Sequence, residues 1–313
     1  MRNAWLVWRV SFCAAMSMAT SGAAEPVFPE YDDPLTACPL CGSARLGRYD
    51  RDHRGVTIDR CRACGMRFMN PQYSDRDRDQ FYSKYISFHE EPPAAGNESS
   101  MRKWLSVRQE SKRRSLELLS RYADKGRLLC VGCGDGVEVG VARSSGWQVE
   151  GVDVDPDTTA EVARTYGVTM HAGDLLDVDL PTGVFDAVFM DQVIEHLKKP
   201  GDYLRRVHEL LRPGGVLYLG VPNVGSWSNS AKTLVGKLGL KKRRGNHYST
   251  KHHIQFFSPR VLVRLLERNY GFQVLCVRGS LKPQKKRLTP ILSRWFPSAD
   301  SSFLTLARKT DPR

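Results

Sequence analysis

The chain has 313 residues, of which 41% are hydrophobic and 26% charged, and it carries a formal net charge of +13. This composition is ordinary for a globular protein and excludes a largely disordered chain, and the length predicts about two domains. The positive charge favours partners that carry phosphate or an anionic surface without choosing among them, and a solvated basic surface explains it equally well.

Residues 1–30 imitate a secretory signal, with Arg2, an apolar run, and the small residues Ala23 and Ala24 near its end. Arg9 interrupts the apolar run, which is too short to cross a membrane as a plain helix. We interpret this segment as a leader or a disordered tail, with export as the alternative. The rest of the sequence contains no stretch of transmembrane length.

Four of the eight cysteines form two matched pairs, Cys38-Pro-Leu-Cys41-Gly and Cys61-Arg-Ala-Cys64-Gly. Each pair makes a turn that points both thiolates at one tetrahedral metal ion, so two turns supply four sulfur ligands. Disulfides or a thioredoxin-like redox pair are alternatives, but neither explains two matched turns in one short segment. We predict a structural zinc ion in a ribbon over residues 31–72, and we expect His53 to be a surface residue.

The predicted ribbon is rich in arginine, which raises a role in binding RNA. Three acids, Asp50, Asp52 and Asp59, dilute this charge, and only Tyr49 and Phe68 could stack on bases. A packing or lid role is therefore favoured over RNA capture. The arginines are Arg45, Arg48, Arg51, Arg54, Arg60, Arg62 and Arg67.

Residues 73–100 begin with a turn and a short helix that carries Tyr82 and Tyr85, and they end in a linker rich in Pro, Ala, Gly and Ser. We place the domain boundary here, so that residues 101–313 form the second domain. Apolar residues at helical spacing then predict a helix over residues 101–122. Trp104 on this helix packs in the core or lies near a ligand.

Residues 128–155 contain a strand, a turn with Gly132, Gly134 and Gly136, a short helix, and a second strand that ends at Asp153. Alternate glycines allow the backbone to approach a ligand at the carboxyl end of the first strand. An acid at the end of the second strand can accept hydrogen bonds from both hydroxyls of a ribose. The pattern predicts a ligand that contains a nucleoside, and NAD enzymes share it.

The segments GDLLDVDLPTGVFDAVFMDQVIEHL and LLRPGGVLYLGVPN follow in order. With the glycine turn they resemble the class I S-adenosylmethionine-dependent methyltransferases over about residues 111–309. The resemblance implies a doubly wound, Rossmann-like α/β domain with a seven-stranded sheet, here preceded by the small zinc ribbon. It also implies S-adenosylmethionine as cofactor and a cytoplasmic location, where that cofactor is made. A ribbon in front of such a domain resembles a bacterial group associated with the methylation of sugars and other small molecules.

The resemblance assigns roles to residues of the cofactor site. Asp174 accepts from the adenine amino group, and the backbone of Leu175 faces the ring; a turn or helix-cap role is the alternative for Asp174. At the position of Cys130, members of the family usually carry an acid. That acid orients the methionine end of the cofactor. We interpret Cys130 as a small buried strand residue, and we expect backbone carbonyls of the glycine turn to take over that role.

Asp191 ends the fourth strand, and we expect it to cap a helix that starts near Gln192 rather than to face the reactive methyl group. Ubiquinone-type O-methyltransferases carry Glu where Gln192 stands, and that acid with Glu195 and His196 has been linked to a divalent metal. Because Gln192 removes a charged ligand, the sequence argues against a catalytic metal. His196 is a candidate base, and a structural role at the helix start is equally favoured.

Residues 224–257 form an insertion after the fifth strand, which in similar enzymes covers the acceptor. His253 is a second candidate base, with a structural hydrogen bond as the alternative. Residues 232–251 hold no acid, which suits a phosphate-bearing acceptor, an RNA backbone or an anionic membrane surface. Their basic residues are Lys232, Lys237, Lys241, Lys242, Arg243, Arg244 and Lys251.

We therefore predict methyl transfer to a small molecule, in particular to a hydroxyl of a saccharide or related metabolite. Two alternatives stay open: an RNA methyltransferase that uses the basic ribbon and the insertion, and a non-catalytic module that only binds the cofactor.

Overall fold

The computed structural model describes residues 29–82, 98–240, 245–280 and 296–310. The interpreted leader up to residue 28, Tyr85 with the linker, and the basic run 241–244 lie outside these residues. The domain limits at residues 31–72, 73–100 and 101–313 stay predictions.

The cysteine-rich segment folds into a small antiparallel sheet. Its strands are β1 (Leu46–Arg51), β2 (Thr57–Cys61) and β3 (Arg67–Met69), followed by the helix α1 (Asp75–Tyr82). Each pair of cysteines lies at a tight turn next to one of these strands, which brings the four thiols to one end of the sheet. His53 is exposed, as predicted.

The second part of the chain forms a seven-stranded sheet, whose strands are β4 (Arg127–Val131), β5 (Gln148–Asp153), β6 (Thr169–Ala172), β7 (Phe185–Asp191), β8 (Leu211–Pro222), β10 (Phe272–Gly279) and β11 (Ser302–Lys309). Their order across the sheet is β10-β11-β8-β7-β4-β5-β6. Strands β6, β5, β4, β7 and β8 are parallel, whereas β11 runs antiparallel between β8 and β10. The predicted Rossmann-like fold class is confirmed. The short strand β9 (Gln255–Phe256) lies outside this sheet.

Helices cover both faces of this sheet, because successive residues of the buried strands point to opposite sides. Leu129 and Val131 of β4 lie in one core, and Leu128 and Cys130 lie in the other. The second core is covered by α2 (Glu98–Leu119), α3 (Val137–Ser144) and α4 (Pro156–Tyr166), and the first by α5 (Pro200–Leu210) and α7 (Pro259–Asn269). In the insertion, α6 (Trp227–Lys237) begins at Ser226, whose hydroxyl accepts from the amide of Asn229.

The ribbon is joined to the part of the chain that forms the seven-stranded sheet by backbone pairing and by a shared hydrophobic core. Strand β9, from the insertion, pairs with β3 and becomes the fourth strand of the ribbon sheet. Cys38, Leu40 and Met66 of the ribbon belong to the same hydrophobic core as Leu204 on α5 and Tyr270 after α7. The Tyr270 hydroxyl also donates to the carbonyl of Leu40. The two parts are thus packed together through several independent contacts.

Within the described part of the chain, no helix combines the length and the apolar character needed to cross a membrane.

Candidate cofactor and acceptor sites

The four ribbon cysteines converge on one point. Their sulfur atoms all lie within 4.8 Å of one another, with 3.7 Å between Cys38 and Cys64 and 3.6 Å between Cys41 and Cys61. Four thiolates around a tetrahedral zinc ion, at about 2.3 Å each, would be about 3.8 Å apart. The described cysteines form no disulfide with one another. The donor set and its spacing therefore fit a closed structural zinc site, and zinc itself stays a proposal.

The glycine turn after β4 has the geometry of a cradle. Gly132, Gly134 and Gly136 adopt the left-handed conformation, with φ of 63°, 47° and 73°. A side chain at Gly132 would place its Cβ 2.6 Å from Val193, whereas the space beside Gly134 is open within 4 Å. The turn thus exposes backbone toward a ligand on one side and packs tightly on the other.

Asp153, at the end of β5, is held beside this turn. Its Oδ2 accepts from the amide of Gly134 at 2.8 Å, and its Oδ1 accepts from the amide of Asp155 at 3.2 Å. Burial raises the pKa of the Asp153 carboxyl, and these amide donors oppose the rise. The carboxylate therefore stands at the position predicted for a ribose, and the contact itself stays a prediction.

Asp174 follows β6 and is engaged on both oxygens. Its Oδ1 accepts from the amide of Leu176 at 2.9 Å, and its Oδ2 accepts from the hydroxyl of Tyr203 on α5. Burial, and then the bond to Asp174, raise the pKa of Tyr203. Asp174 is thus a turn acid, as the alternative held, and its predicted contact with adenine stays a prediction. The neighbouring Leu175 side chain is buried.

The prediction that Asp191 caps a helix is wrong. Gln192 has φ of 61°, and a left-handed residue cannot continue into a right-handed helix. A short 3₁₀ helix, Ile194–His196, follows, and its N-cap residue is Val193, which makes no side-chain capping bond. No α-helix begins until Pro200. Asp191 instead faces α2, where its Oδ2 accepts from Nζ of Lys112 at 3.0 Å.

Glu195, His196 and His253 come together at the end of β7. Glu195 is fully buried, and neither of its carboxylate oxygens has a hydrogen-bond partner among the described residues. Its Oε1 lies 3.9 Å from Nε2 of His196 and 4.0 Å from Nε2 of His253. Burial, and then the charge of Asp191, raise the pKa of Glu195 well above its usual range.

The same three residues form a candidate metal-binding set, because their ligand atoms lie within 4.8 Å of one another. Two imidazoles and one carboxylate suit a divalent transition metal. His253 thus supplies in space a third donor where Gln192 replaces an acid in the sequence. The prediction against a catalytic metal stays a prediction.

A family model described as a methyltransferase domain matches residues 104–277. The chain belongs to the S-adenosylmethionine-dependent methyltransferase family.

Among its relatives is a protein named "Probable S-adenosylmethionine-dependent methyltransferase" from Mycolicibacterium smegmatis, 35% identical over 97 residues, which are 31% of this chain and 38% of that protein. The chain thus spans well under half the length of this relative. A ubiquinone biosynthesis O-methyltransferase from Xanthomonas oryzae is 32% identical over 171 residues, which cover 51% of this chain and 69% of that enzyme.

The fold is similar to that of a solved structure, the 1,6-didemethyltoxoflavin-N1-methyltransferase of Burkholderia thailandensis with bound S-adenosylhomocysteine. That structure is 19% identical in sequence, with a TM-score of 0.53, and the match covers 84% of this methyltransferase and all of that chain. At this identity the likeness supports the fold alone.

Two cavities lie on the side of the methyltransferase that carries the histidines. The first, which we call the polar cavity, has a volume of about 260 Å³ beside the end of β8, and its lining includes Asn223, Lys232, His247, His253 and Gln255. The second, which we call the basic cleft, has a volume of about 270 Å³ between the ribbon and the catalytic domain. Its lining includes Arg54, Arg78, His196, Lys198, Lys251 and His252.

Two charged residues beside the glycine turn were not predicted from the sequence. Lys112 on α2 and Glu138 on α3 are almost enclosed, and their charged atoms lie 3.5 Å apart. Lys112 resembles the many exposed cations of α2, so only its position in the apolar stripe with Leu116 and Leu119 could have identified it. Glu138 stands two residues after the last glycine of the turn, and that closeness was the available signal.

Proposed function

We propose that this methyltransferase transfers the methyl group of S-adenosylmethionine to a hydroxyl of a small polar acceptor, such as a saccharide or a related metabolite. The observation that carries the proposal is the polar cavity at the end of β8, which has His253 in its wall. Amide, imidazole and ammonium groups in that wall suit an acceptor with several hydroxyls.

The cofactor supplies a methyl group on a positively charged sulfur, which is already a good electrophile, so alignment and removal of one proton are what the protein must add. A ring nitrogen of His253 accepts the proton of the attacking hydroxyl. The imidazolium that forms lies 4.0 Å from Oε1 of Glu195, and its positive charge favours the ionised form of that buried carboxyl. His196 donates from Nδ1 to the carbonyl oxygen of His252, 3.0 Å away, and is the second candidate base.

The cofactor would be held across the carboxyl ends of the parallel strands. The strand order β6-β5-β4-β7 places Asp174, Asp153, the glycine turn and Asp191 side by side. This order follows the cofactor from adenine through ribose and methionine to the methyl group. In the proposal, the cofactor-binding residues are Gly132, Gly134, Gly136, Asp153, Asp174, Leu175 and Asp191, and the zinc ligands are Cys38, Cys41, Cys61 and Cys64. We place the enzyme in the cytoplasm, where the cofactor is made.

The test uses the purified full chain with methyl-labelled cofactor and a panel of saccharides, sugar phosphates, phenols and RNA. We expect label in a hydroxyl-bearing small molecule. His253→Gln should lower kcat by about 10² to 10⁴-fold with a much smaller change in acceptor KM, because a general base acts mainly in the transition state. His208→Gln is the matched control, since His208 lies on α5 and bonds to the carbonyl of Gly271.

Transfer to RNA alone would replace this proposal by the RNA alternative. That reading also predicts a steep salt dependence, with log affinity falling by about 0.7 per phosphate contact for single strands. Gln at Lys241, Lys242, Arg243 and Arg244 together should abolish such binding. If those residues instead hold one phosphate of a small acceptor, the same variant raises acceptor KM and leaves cofactor affinity unchanged. Label in none of the compounds, with cofactor bound, would favour the non-catalytic module.

A further inference from the structure

The face of the sheet below the glycine turn carries a thiol where similar enzymes carry an acid. Cys130 is fully buried and lies in one core with Phe189 of β7 and Tyr218 of β8, under α2 and α3. The thiol provides no negative charge for the ammonium at the methionine end of the cofactor, because burial raises its pKa far above neutrality. The charge must come from another group on this face.

Three charged side chains meet on the same face. Nζ of Lys112 lies 3.0 Å from Oδ2 of Asp191 and 3.5 Å from Oε2 of Glu138. These side chains are only 16%, 20% and 6% exposed. Two carboxylates therefore share one ammonium, and their ionised forms leave one negative charge in excess. Asp191 is the closer partner of Lys112, so the excess belongs mainly to Glu138.

Helix α2 contacts the glycine turn directly. One helical turn before Lys112, Arg108 forms a bidentate ion pair with Asp135, which stands between Gly134 and Gly136. Lys112 is four residues further on the same face of the helix. The charged cluster is thus held beside the carboxyl end of β4, with its member Asp191 at the end of the neighbouring strand β7 and with Asp153 at the end of the other neighbour, β5. The methionine end of a cofactor whose ribose lies at Asp153 has to cross this place.

We infer that Glu138 binds the amino group of the cofactor's methionine end, in place of the acid that position 130 lacks, and that Lys112 is a positioning residue that holds Glu138 and Asp191 together. The inference rests on the proposed use of S-adenosylmethionine. Burial raises the pKa of the Glu138 carboxyl while Lys112 opposes the rise, with Asp135 and Asp191 as the facing acids. A second cation at this place favours the ionised carboxylate, as the ammonium does when it binds.

The test compares two ligands by calorimetry on the full chain. S-adenosylhomocysteine keeps the amino-acid end, whereas 5′-methylthioadenosine keeps adenine, ribose and sulfur but lacks that end. Glu138→Gln should weaken binding of S-adenosylhomocysteine by tenfold or more, while binding of 5′-methylthioadenosine stays within about twofold, since a charged hydrogen bond is lost only with the first ligand. Glu138→Asp, which keeps the charge, should lose less.

Rescue provides the sharpest outcome. Cys130→Asp in the Glu138→Gln background restores an acid to the sheet face and should recover most of the affinity for S-adenosylhomocysteine. Glu117→Gln, on the exposed side of α2, is the matched control and should bind both ligands as the wild type does. Thermal melting shows whether each variant is folded.

Equal losses for both ligands, or an unchanged affinity for S-adenosylhomocysteine, would overturn the inference and leave the proposed function standing. If the wild type bound neither ligand, the proposed function would fail together with it.

Discussion

The two halves of the proposed active site, which we call the cofactor side and the acceptor side, are built in different ways. On the cofactor side, the glycine turn, Asp153 and Asp155 are close in sequence and joined by backbone amides. On the acceptor side, His196 and His253 are brought together around Glu195 from two separate segments of the chain. In the proposed function, S-adenosylmethionine is thus bound by residues that are close in sequence, whereas the acceptor site depends on long-range packing.

The ribbon contributes to the second kind of construction. Strand β9 comes two residues after His253, and its backbone is paired with β3 of the ribbon. The amide of Met69 also donates to the carbonyl of Ile254 at 2.8 Å. The position of His253 therefore depends on the ribbon, although no ribbon cysteine lies in the polar cavity. Perturbing the ribbon should damage the acceptor side first.

Removal of zinc is expected to have the largest effect. Structural zinc sites of small peptides contribute roughly 10 to 16 kcal/mol of binding free energy, and here the four thiols lie in a core shared with α5 and α7. Cys38→Ser with Cys61→Ser, or treatment with a chelator, should eliminate methyl transfer and lower the melting temperature by many degrees. Metal analysis of protein prepared under reducing conditions should find one zinc per chain, and its absence would refute the prediction.

The second-largest effect is expected from loss of the carboxylate of Asp153, which should leave the acceptor side intact. Asp153→Ala should weaken binding of S-adenosylhomocysteine by more than tenfold, because ribose hydroxyls would be buried without acceptors. Acceptor KM should change little. Calorimetry and steady-state kinetics measure the two quantities separately, and a large rise in acceptor KM would contradict the separation of the two sides.

The pH dependence of cofactor binding should report the same carboxylate. Burial raises the pKa of Asp153 above its usual value of 3.8, and the ionised form is the one that accepts from ribose. As the pH falls from neutrality toward this raised pKa, affinity should be constant, and below it binding must release a proton and weakens by up to about tenfold per pH unit. Asp153→Asn should flatten this decline, and an unchanged slope in that variant would assign it to another group.

A pair of tyrosines offers the smallest and most symmetrical comparison. The hydroxyl of Tyr203 donates to Asp174 on the cofactor side, and that of Tyr270 donates to Leu40 of the ribbon. Each change to Phe should cost about 1 kcal/mol of unfolding free energy for the lost hydrogen bond. Tyr203→Phe should also alter cofactor affinity by a few-fold, whereas Tyr270→Phe should not. Denaturant melts and calorimetry decide, and equal effects on binding would argue against the distinction.

The features that the sequence predicts correctly are those that depend on short, local patterns. The cysteine pairs and the alternate glycines are short, position-specific patterns, and the large sheet follows from buried strands that are apolar on both faces. Strand β9 has only two residues and shows no periodicity, so its pairing with the ribbon could not be predicted. The helix expected at Gln192 does not form, because the left-handed backbone there is a product of tertiary packing, which cannot be predicted from local helix propensity.

The pairing of β3 with β9 has a consequence for how such a chain can change over generations. Its hydrogen bonds join main-chain groups, so they do not depend on which side chains the two strands carry, whereas an inserted or deleted residue shifts the register. Related sequences that keep the ribbon should therefore keep the spacing from each strand to its neighbouring cysteine or histidine. A lineage that discarded the ribbon would also have to redesign the segment that follows β8, because β9 would lose the strand with which it pairs.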